Sequence, residues 1–353
     1  MYPNLGFFFE HTLGLDIPFL KYAQTFGFFV ALAFLAGAWV ISKELKRKAA
    51  LGLVKPQIKT DKKTGKKVEL YPHQRVADII FVAAIAGFAG AKIFNALETW
   101  DQFVQDPIGS LFSRSGLTFY GGLIMATAAL YFFARKINLS FKQLCDAAAP
   151  ALILAYGIGR LGCHFSGDGD WGVYNSAYVT QADGTLVSAT MEDFNNTVKL
   201  HGADMDHFDG KVPNIYYPAN GLPRWMVAMN YAHNVNNEGI AINGEKKEYN
   251  FVLPAAVFPT SVWEFAACVL IIFPILMGLR KRLHRPLQLF GVYLIFNGLE
   301  RFLVEKIRVN TRIEWMGSLQ PTQAEVISTC LIIAGAILLF RTSKKTTEGQ
   351  VAN

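Results

Sequence analysis

GIGRLGCHFSGDGDWG, residues 157–172, closes a long apolar run, and how it is read decides the rest of the chain. Its first half continues the apolar segment that begins near Asp146. Its second half is glycines, acids and a tryptophan. Arg160, Cys163 and His164 therefore fall where an apolar helix ends, with Asp168 and Asp170 directly after them. An arginine costs about 2.5–3.5 kcal/mol at mid-bilayer on insertion scales. One retained against that cost marks either a site or an interface anchor. Gly157, Gly159 and Gly162 lie around it, and small residues at such spacing admit a neighbouring backbone or a substrate.

The 353 residues are 52% hydrophobic and only 17% charged, where a soluble protein carries about 25% charged residues. The deficit is concentrated in separate apolar runs, which predicts an all-α polytopic membrane protein. Seven transmembrane helices are expected, over Phe19–Ile41, Val76–Leu97, Gly116–Phe133, Asp146–Phe165, Phe258–Leu279, Leu287–Val304 and Gln323–Phe340. The formal charge of +7 sits mostly in short loops, where it sets topology and does not indicate a nucleic-acid partner. The four cysteines, Cys145, Cys163, Cys268 and Cys330, have no metal-ligand spacing and form no disulfide framework. No metal or cofactor is expected. MYPNLGFFFEHTLGL lacks a basic n-region and a small-residue cleavage site, so no removable leader is read there.

Charge asymmetry orients the spans. Residues 42–75 hold eleven bases, from Lys43 and Lys46 through Lys66, Lys67 and Arg75, and make a basic cytoplasmic loop. Arg135, Lys136 and Lys142 after the third span agree, as do Arg280, Lys281, Arg282 and Arg285 after the fifth. The tail, with Arg341, Lys344 and Lys345, lies on the same side. The N-terminus is then outside and the C-terminus cytoplasmic. Residues 166–257 are far too long for a connection and carry eleven acids against five bases, which predicts a mixed extracytoplasmic head domain. The expected organisation is helices one to four over 1–165, the head over 166–257, and helices five to seven with the tail over 258–353.

With that orientation the intramembrane polar residues fall at one level. Arg160, Cys163 and His164 end the fourth span, and Glu300, Arg301 and Glu305 end the sixth. Tyr120 opens the third beside Gly121 and Gly122, Glu264 lies near the start of the fifth, and Gln323 opens the seventh. All lie on the outer side, whereas a proton or ion path needs polar stations through the full depth. The distribution predicts a polar chamber at the outer leaflet. Two arginines at one depth suit an anion, because guanidinium presents a rigid fork to phosphate. The abundant phosphate there is a lipid headgroup.

Plainer explanations compete. Arg160 could be a snorkelling anchor, and Arg301 with Glu305 at i and i+4 an intrahelical ion pair. Tyr120 could belong to an aromatic belt, and Asp168 with Asp170 to a tight turn. HGADMDHFDG (201–210) matches no zinc or calcium spacing. A phospholipid transporter or flippase with an outer-leaflet headgroup site is the alternative function, although the inner half lacks polar lining. An intramembrane hydrolase has little support, since Ser166 lies in HFSGD with no obvious partner.

Several segments in order resemble the prolipoprotein diacylglyceryl transferase family. They are FGFFVALAFLAG (26–37), SGLTFYGGLI (115–124), GRLGCHFSGDGDWG (159–172), FPTSVWE (258–264), GLERFLVEKIR (298–308) and, more loosely, GSLQPTQAEVIS (317–328). The resemblance covers nearly all of the membrane part and not the head. It implies a bacterial inner-membrane enzyme that moves the diacylglyceryl group of phosphatidylglycerol to the lipobox cysteine thiol of a prolipoprotein signal peptide. A thioether forms and glycerol phosphate leaves. Arg160 then matches the signature arginine and would hold the lipid phosphate. Arg301 would stabilise the departing phosphate, with Glu305 orienting it. The acceptor thiol belongs to the substrate, so Cys163 need not be a nucleophile. The sequence departs from the family pattern at Tyr120, where the family has histidine, at Phe26, where it has tyrosine, and at Cys163, where many members have asparagine. Tyr120 or His164 is left to handle the proton. Phe26, Gly121, Gly122, Gly159, Gly162, Cys163, Asp168, Gly172, Glu264 and Gln323 are expected to line the site.

Overall fold

The computed structural model describes residues 1–60, 66–113, 116, 118–169, 171–208, 221–283, 285–308 and 321–344. Seven long helices occur where the apolar runs predict them: α1 (Thr25–Ala50), α2 (Val76–Glu98), α3 (Phe119–Lys136), α4 (Phe141–Ser166), α5 (Thr260–Leu279), α6 (Gln288–Glu305) and α7 (Gln323–Lys344). Among the described residues, five of these regions are long and apolar enough to cross a membrane: α1, Pro72–Glu98, α4, α5 and Gln323–Phe340. The chain is a mostly helical, polytopic membrane protein. Helices α3 and α6, each 18 residues long, fall outside that group.

Helix α1 runs past its expected end at Ile41. From Ser42 the sequence keeps good helix formers, and Val40, Ile41, Glu44, Leu45 and Lys48 recur on one buried face. Residues read as loop are therefore amphipathic helix. The rest of the basic loop carries an antiparallel hairpin of β1 (Gln57–Thr60) and β2 (Lys67–Leu70).

The chain divides into two compact units. One comprises Phe34–Ala151 and Arg285–Phe290. Within it α2 and α3 pack closely because glycines face each other. A Cβ on Gly90 would sit 2.5 Å from the Gly121 carbonyl oxygen, and one on Gly122 would sit 2.9 Å from that of Gly87. Small residues at such spacing let helix backbones approach in lipid. Lys92, buried on α2, spends its ammonium on the Ser113 carbonyl at 2.8 Å and hydroxyl at 3.0 Å. Elsewhere in this unit Lys48 of α1 donates to Gln143 of α4 at 2.7 Å. Asp146 accepts the Leu287 and Phe290 backbone N–H groups at 2.7 and 3.0 Å, capping the start of α6. This unit thus holds buried ionisable groups that sequence reading assigned to loops or span ends, and their contacts are structural.

The second unit comprises Met1–Ala33, Leu152–His284 and Gly291–Asn353. Beyond its helices it contains an antiparallel sheet in the order β4 (Leu186–Ser188), β3 (Tyr174–Thr180), β5 (Ala255–Val257). Trp171, Tyr174, Phe194, Met205, Tyr231 and Leu253 make a core beside it. Helix Met191–His201 starts with a reciprocal cap. Asp193 accepts the Thr190 N–H at 2.9 Å and hydroxyl at 2.8 Å, and Thr190 accepts the Asp193 N–H at 3.2 Å.

Gly90→Val places a branched side chain against the α3 backbone and is expected to lower stability by about 1–3 kcal/mol. Gly278→Ala, where an added Cβ meets nothing within 4 Å, should cost far less. Thermal unfolding in detergent compares them. The hydrogen bonds from Thr190 hold the Asp193 carboxyl below the usual carboxylate range. The folded form has the lower pKa, so this contribution is complete above the unfolded value of about 3.9 and is lost as pH falls through the folded one. Hydrogen exchange in helix Met191–His201 should therefore accelerate below about pH 4 in the wild type. In Asp193→Asn it should be fast already at neutral pH.

Candidate active site

Helix α5 begins at Thr260, and its second turn carries Glu264, which is fully buried. A buried carboxylate needs counter-charge and donors. Glu264 receives both. Arg160 on α4 donates Nε–H to Oε2 at 2.6 Å and also brings Nη2 onto that oxygen. Tyr156, one turn earlier on α4, donates its hydroxyl to Oε1 at 2.7 Å. Arg301 on α6 brings Nη1 to 3.7 Å from Oε1 and pairs through Nη2 with Glu305, one turn on, at 3.0 Å. Two guanidinium groups from separate helices thus meet on one carboxylate.

Their exposure differs. Arg160 is buried, while the Arg301 side chain is 28% exposed. Arg301 is thus the more accessible of the two guanidinium groups. Cys163, three residues beyond Arg160, offers Sγ to Arg160 Nη1 at 3.6 Å.

The local sequence explains how α4 and α5 can lie this close. A Cβ on Gly157 would meet Val269 Cγ2 at 2.6 Å and Cys268 Cβ at 3.1 Å, and one on Gly162 would meet Phe29 Cβ at 2.7 Å. Past Glu264, α5 passes through a π-helical stretch over Ala266–Ile272, a deviation common beside functional sites. Helix α4 ends where Gly167 adopts φ +68°, its N–H returning to the Cys163 carbonyl at 3.0 Å. The chain then threads between two helix ends. Gly172 N–H donates to the Phe258 carbonyl at 2.8 Å, and Val173 N–H to Ile307 at 2.8 Å. A Cβ on Gly172 would press on Thr260 Cγ2 at 2.9 Å. The signature turn therefore ties the end of α6 to the start of α5, which carry Arg301 and Glu264.

Of the predicted site residues, Arg160, Cys163, Glu264, Arg301 and Glu305 come together. His164 faces away from them: its Nδ1 lies 3.2 Å from the Tyr231 hydroxyl, and its ring packs edge-on against Tyr231. Asp168 sits in the glycine turn, its N–H on the Cys163 carbonyl at 3.1 Å. Phe26 is exposed at the start of α1, with Cδ2 3.4 Å from where a Gly162 Cβ would stand. An added Cβ on Gly159 meets nothing within 4 Å. Gln323 is exposed at the start of α7, beside the Thr322–Glu325 cap. Tyr120, Gly121 and Gly122 belong to the unit built on Phe34–Ala151, where the glycines serve the α2–α3 contact. Asp170 and the 317–320 part of the last motif lie outside the described residues. Tyr156 was missed by sequence reading. Its i, i+4 spacing to Arg160 was the available signal. Among the described residues no cluster of three or more His, Cys, Asp or Glu could hold a metal ion.

Comparison with known proteins gives a family. The family described as prolipoprotein diacylglyceryl transferase matches residues 17–341. A phosphatidylglycerol–prolipoprotein diacylglyceryl transferase of Leptospira interrogans is 31% identical over 42% of this chain and 48% of its own length. The chain therefore aligns with about half of that relative. Proteins of the same name from Clostridium novyi and Bacillus cytotoxicus are 25% and 24% identical over 77% and 89% of this chain, and 80% and 86% of theirs.

Glu264→Gln leaves two guanidinium groups without their shared counter-charge and is expected to destabilise the protein by about 3–5 kcal/mol. Tyr156→Phe removes one hydrogen bond and should cost about 1 kcal/mol. Chemical unfolding in detergent orders the two. The family match over residues 17–341 leads to one conclusion: the chain belongs to the prolipoprotein diacylglyceryl transferase family.

Proposed function

We propose that this protein transfers the diacylglyceryl group of phosphatidylglycerol to the lipobox cysteine thiol of prolipoproteins. The reaction forms a thioether and releases glycerol phosphate. The observation that carries this proposal is the convergence of Arg160 and Arg301 on Glu264, with Arg301 partly open. The donor is a phosphodiester. Its leaving phosphate gains charge as the C–O bond breaks, and preorganised guanidinium groups stabilise such charge in a site of low dielectric. Arg301 meets the phosphate, Arg160 supports it, and Glu305 holds Arg301 in orientation. His164, the sequence's proton-handling candidate within this unit, is engaged by the Tyr231 hydroxyl. Phe26, Gly159, Gly162, Cys163, Asp168, Gly172 and Gln323, all of the same unit, line the approach.

In the same proposal all seven long helices cross the bacterial inner membrane. The N-terminus is outside, the tail cytoplasmic, and 166–257 forms an extracytoplasmic head between the 1–165 and 258–353 helix groups. Donor lipid and exported signal peptide then meet at one leaflet. The three relatives carry transferase names, and none supports the transporter alternative.

Purified protein with phosphatidylglycerol and a synthetic lipobox peptide should add one diacylglyceryl mass to the cysteine, read by mass spectrometry. Arg301→Ala and Arg160→Ala should each slow this by about 10²–10³-fold, as loss of an oxyanion donor does elsewhere. Wild-type turnover in both variants would overturn the assignment. Lipid flipping in proteoliposomes without covalent product would favour transport instead.

A further inference from the structure

Removing the thiol proton requires an acceptor whose lone pairs are not already taken. Glu264 is committed to Arg160 and Tyr156, and Glu305 to Arg301. Glu300 differs. It sits on α6 immediately before Arg301 and is 7% exposed, yet neither of its carboxyl oxygens has a hydrogen-bond partner among the described residues. Buried polar groups without partners are rare, and each calls for an explanation such as a catalytic role. Glu300 also belongs to the same cluster. It lies within electrostatic reach of Glu264 and Cys268 on α5, Tyr156 and Arg160 on α4, and Tyr293, Arg301 and Arg308 on its own stretch of chain.

We propose that Glu300 accepts the proton of the substrate's cysteine thiol, an inference that rests on the transferase function above. Movement of Arg301 onto the lipid phosphate uncovers the adjacent carboxyl. The S–H proton passes to a Glu300 oxygen. The sulfur electron pair forms the C–S bond to the glyceryl carbon that bears the phosphate, and the C–O bond to phosphate breaks. Its electron pair leaves with glycerol phosphate, held by Arg160 and Arg301. The proton on Glu300 is then returned to the departing phosphate. Redox balance is unchanged, and no further reactant is required.

The full-length protein in detergent, with phosphatidylglycerol and paired lipobox peptides carrying cysteine or selenocysteine, tests this. A selenol is largely ionised at neutral pH and needs no acceptor. With the cysteine peptide, Glu300→Gln should lower kcat by about 10²–10⁴-fold, the usual contribution of a positioned base. The KM for phosphatidylglycerol and the thermal unfolding midpoint should stay unchanged. The selenocysteine peptide should recover most of that loss. Three results would overturn the inference: a wild-type kcat in Glu300→Gln, an equal deficit with both peptides, or selenocysteine rescue of His164→Gln but not of Glu300→Gln. Failure of the wild type to modify either peptide would instead overturn the transferase proposal itself.

Discussion

One carboxylate organises the site. Glu264 is fully buried, so it is stable only while charge and donors surround it, and those come from α4 and α6. The interaction works in both directions. Glu264 gives Arg160 a reason to remain out of water, and it places Arg301 beside Arg160, where the two would otherwise repel. The site's net character follows from that balance. Arg160 is buried, while Arg301 is shared between Glu264 and Glu305 and partly exposed, which in the proposed function leaves it to meet the lipid phosphate.

Glycine is the second constraint. Helices can bring such side chains together only if their backbones approach, and Gly157 against α5 and Gly162 against Phe29 provide that on either side of Arg160. In the other unit Gly90 and Gly121 do the same for α2 and α3. A motif such as GRLG therefore combines packing and chemistry within four residues. A single substitution there would disturb both.

Much of this was legible in the sequence, for identifiable reasons. Apolar runs located the long helices, and five of those regions have the length and composition that a membrane imposes among the described residues. Arg160, Glu264 and Arg301 stood out because ionisable groups in such runs are costly. Tyr156 did not, since a tyrosine in an apolar helix carries no comparable cost, and its hydroxyl acquires meaning only once Glu264 is opposite. The helical extension of α1 to Ala50 was hidden by its lysines, which read as a topology signal although Lys48 is buried against Gln143. Gly121 and Gly122 looked like site lining because they follow Tyr120, and only the packing of α2 on α3 shows what they touch. Glu300 was visible as an acid at a span end. That its carboxyl has no hydrogen-bond partner among the described residues is a three-dimensional property that no spacing encodes.

The central claim is that Arg160 and Arg301 act as one phosphate grip. A double-mutant cycle on transfer rate, using Arg160→Lys, Arg301→Lys and both together, measures this most directly, because residues that share a ligand are strongly non-additive. Lysine keeps the charge but loses the rigid fork. If the grip is shared, the double variant will be about as slow as the slower single variant. If the two losses multiply, the arginines act on separate events and the account is wrong.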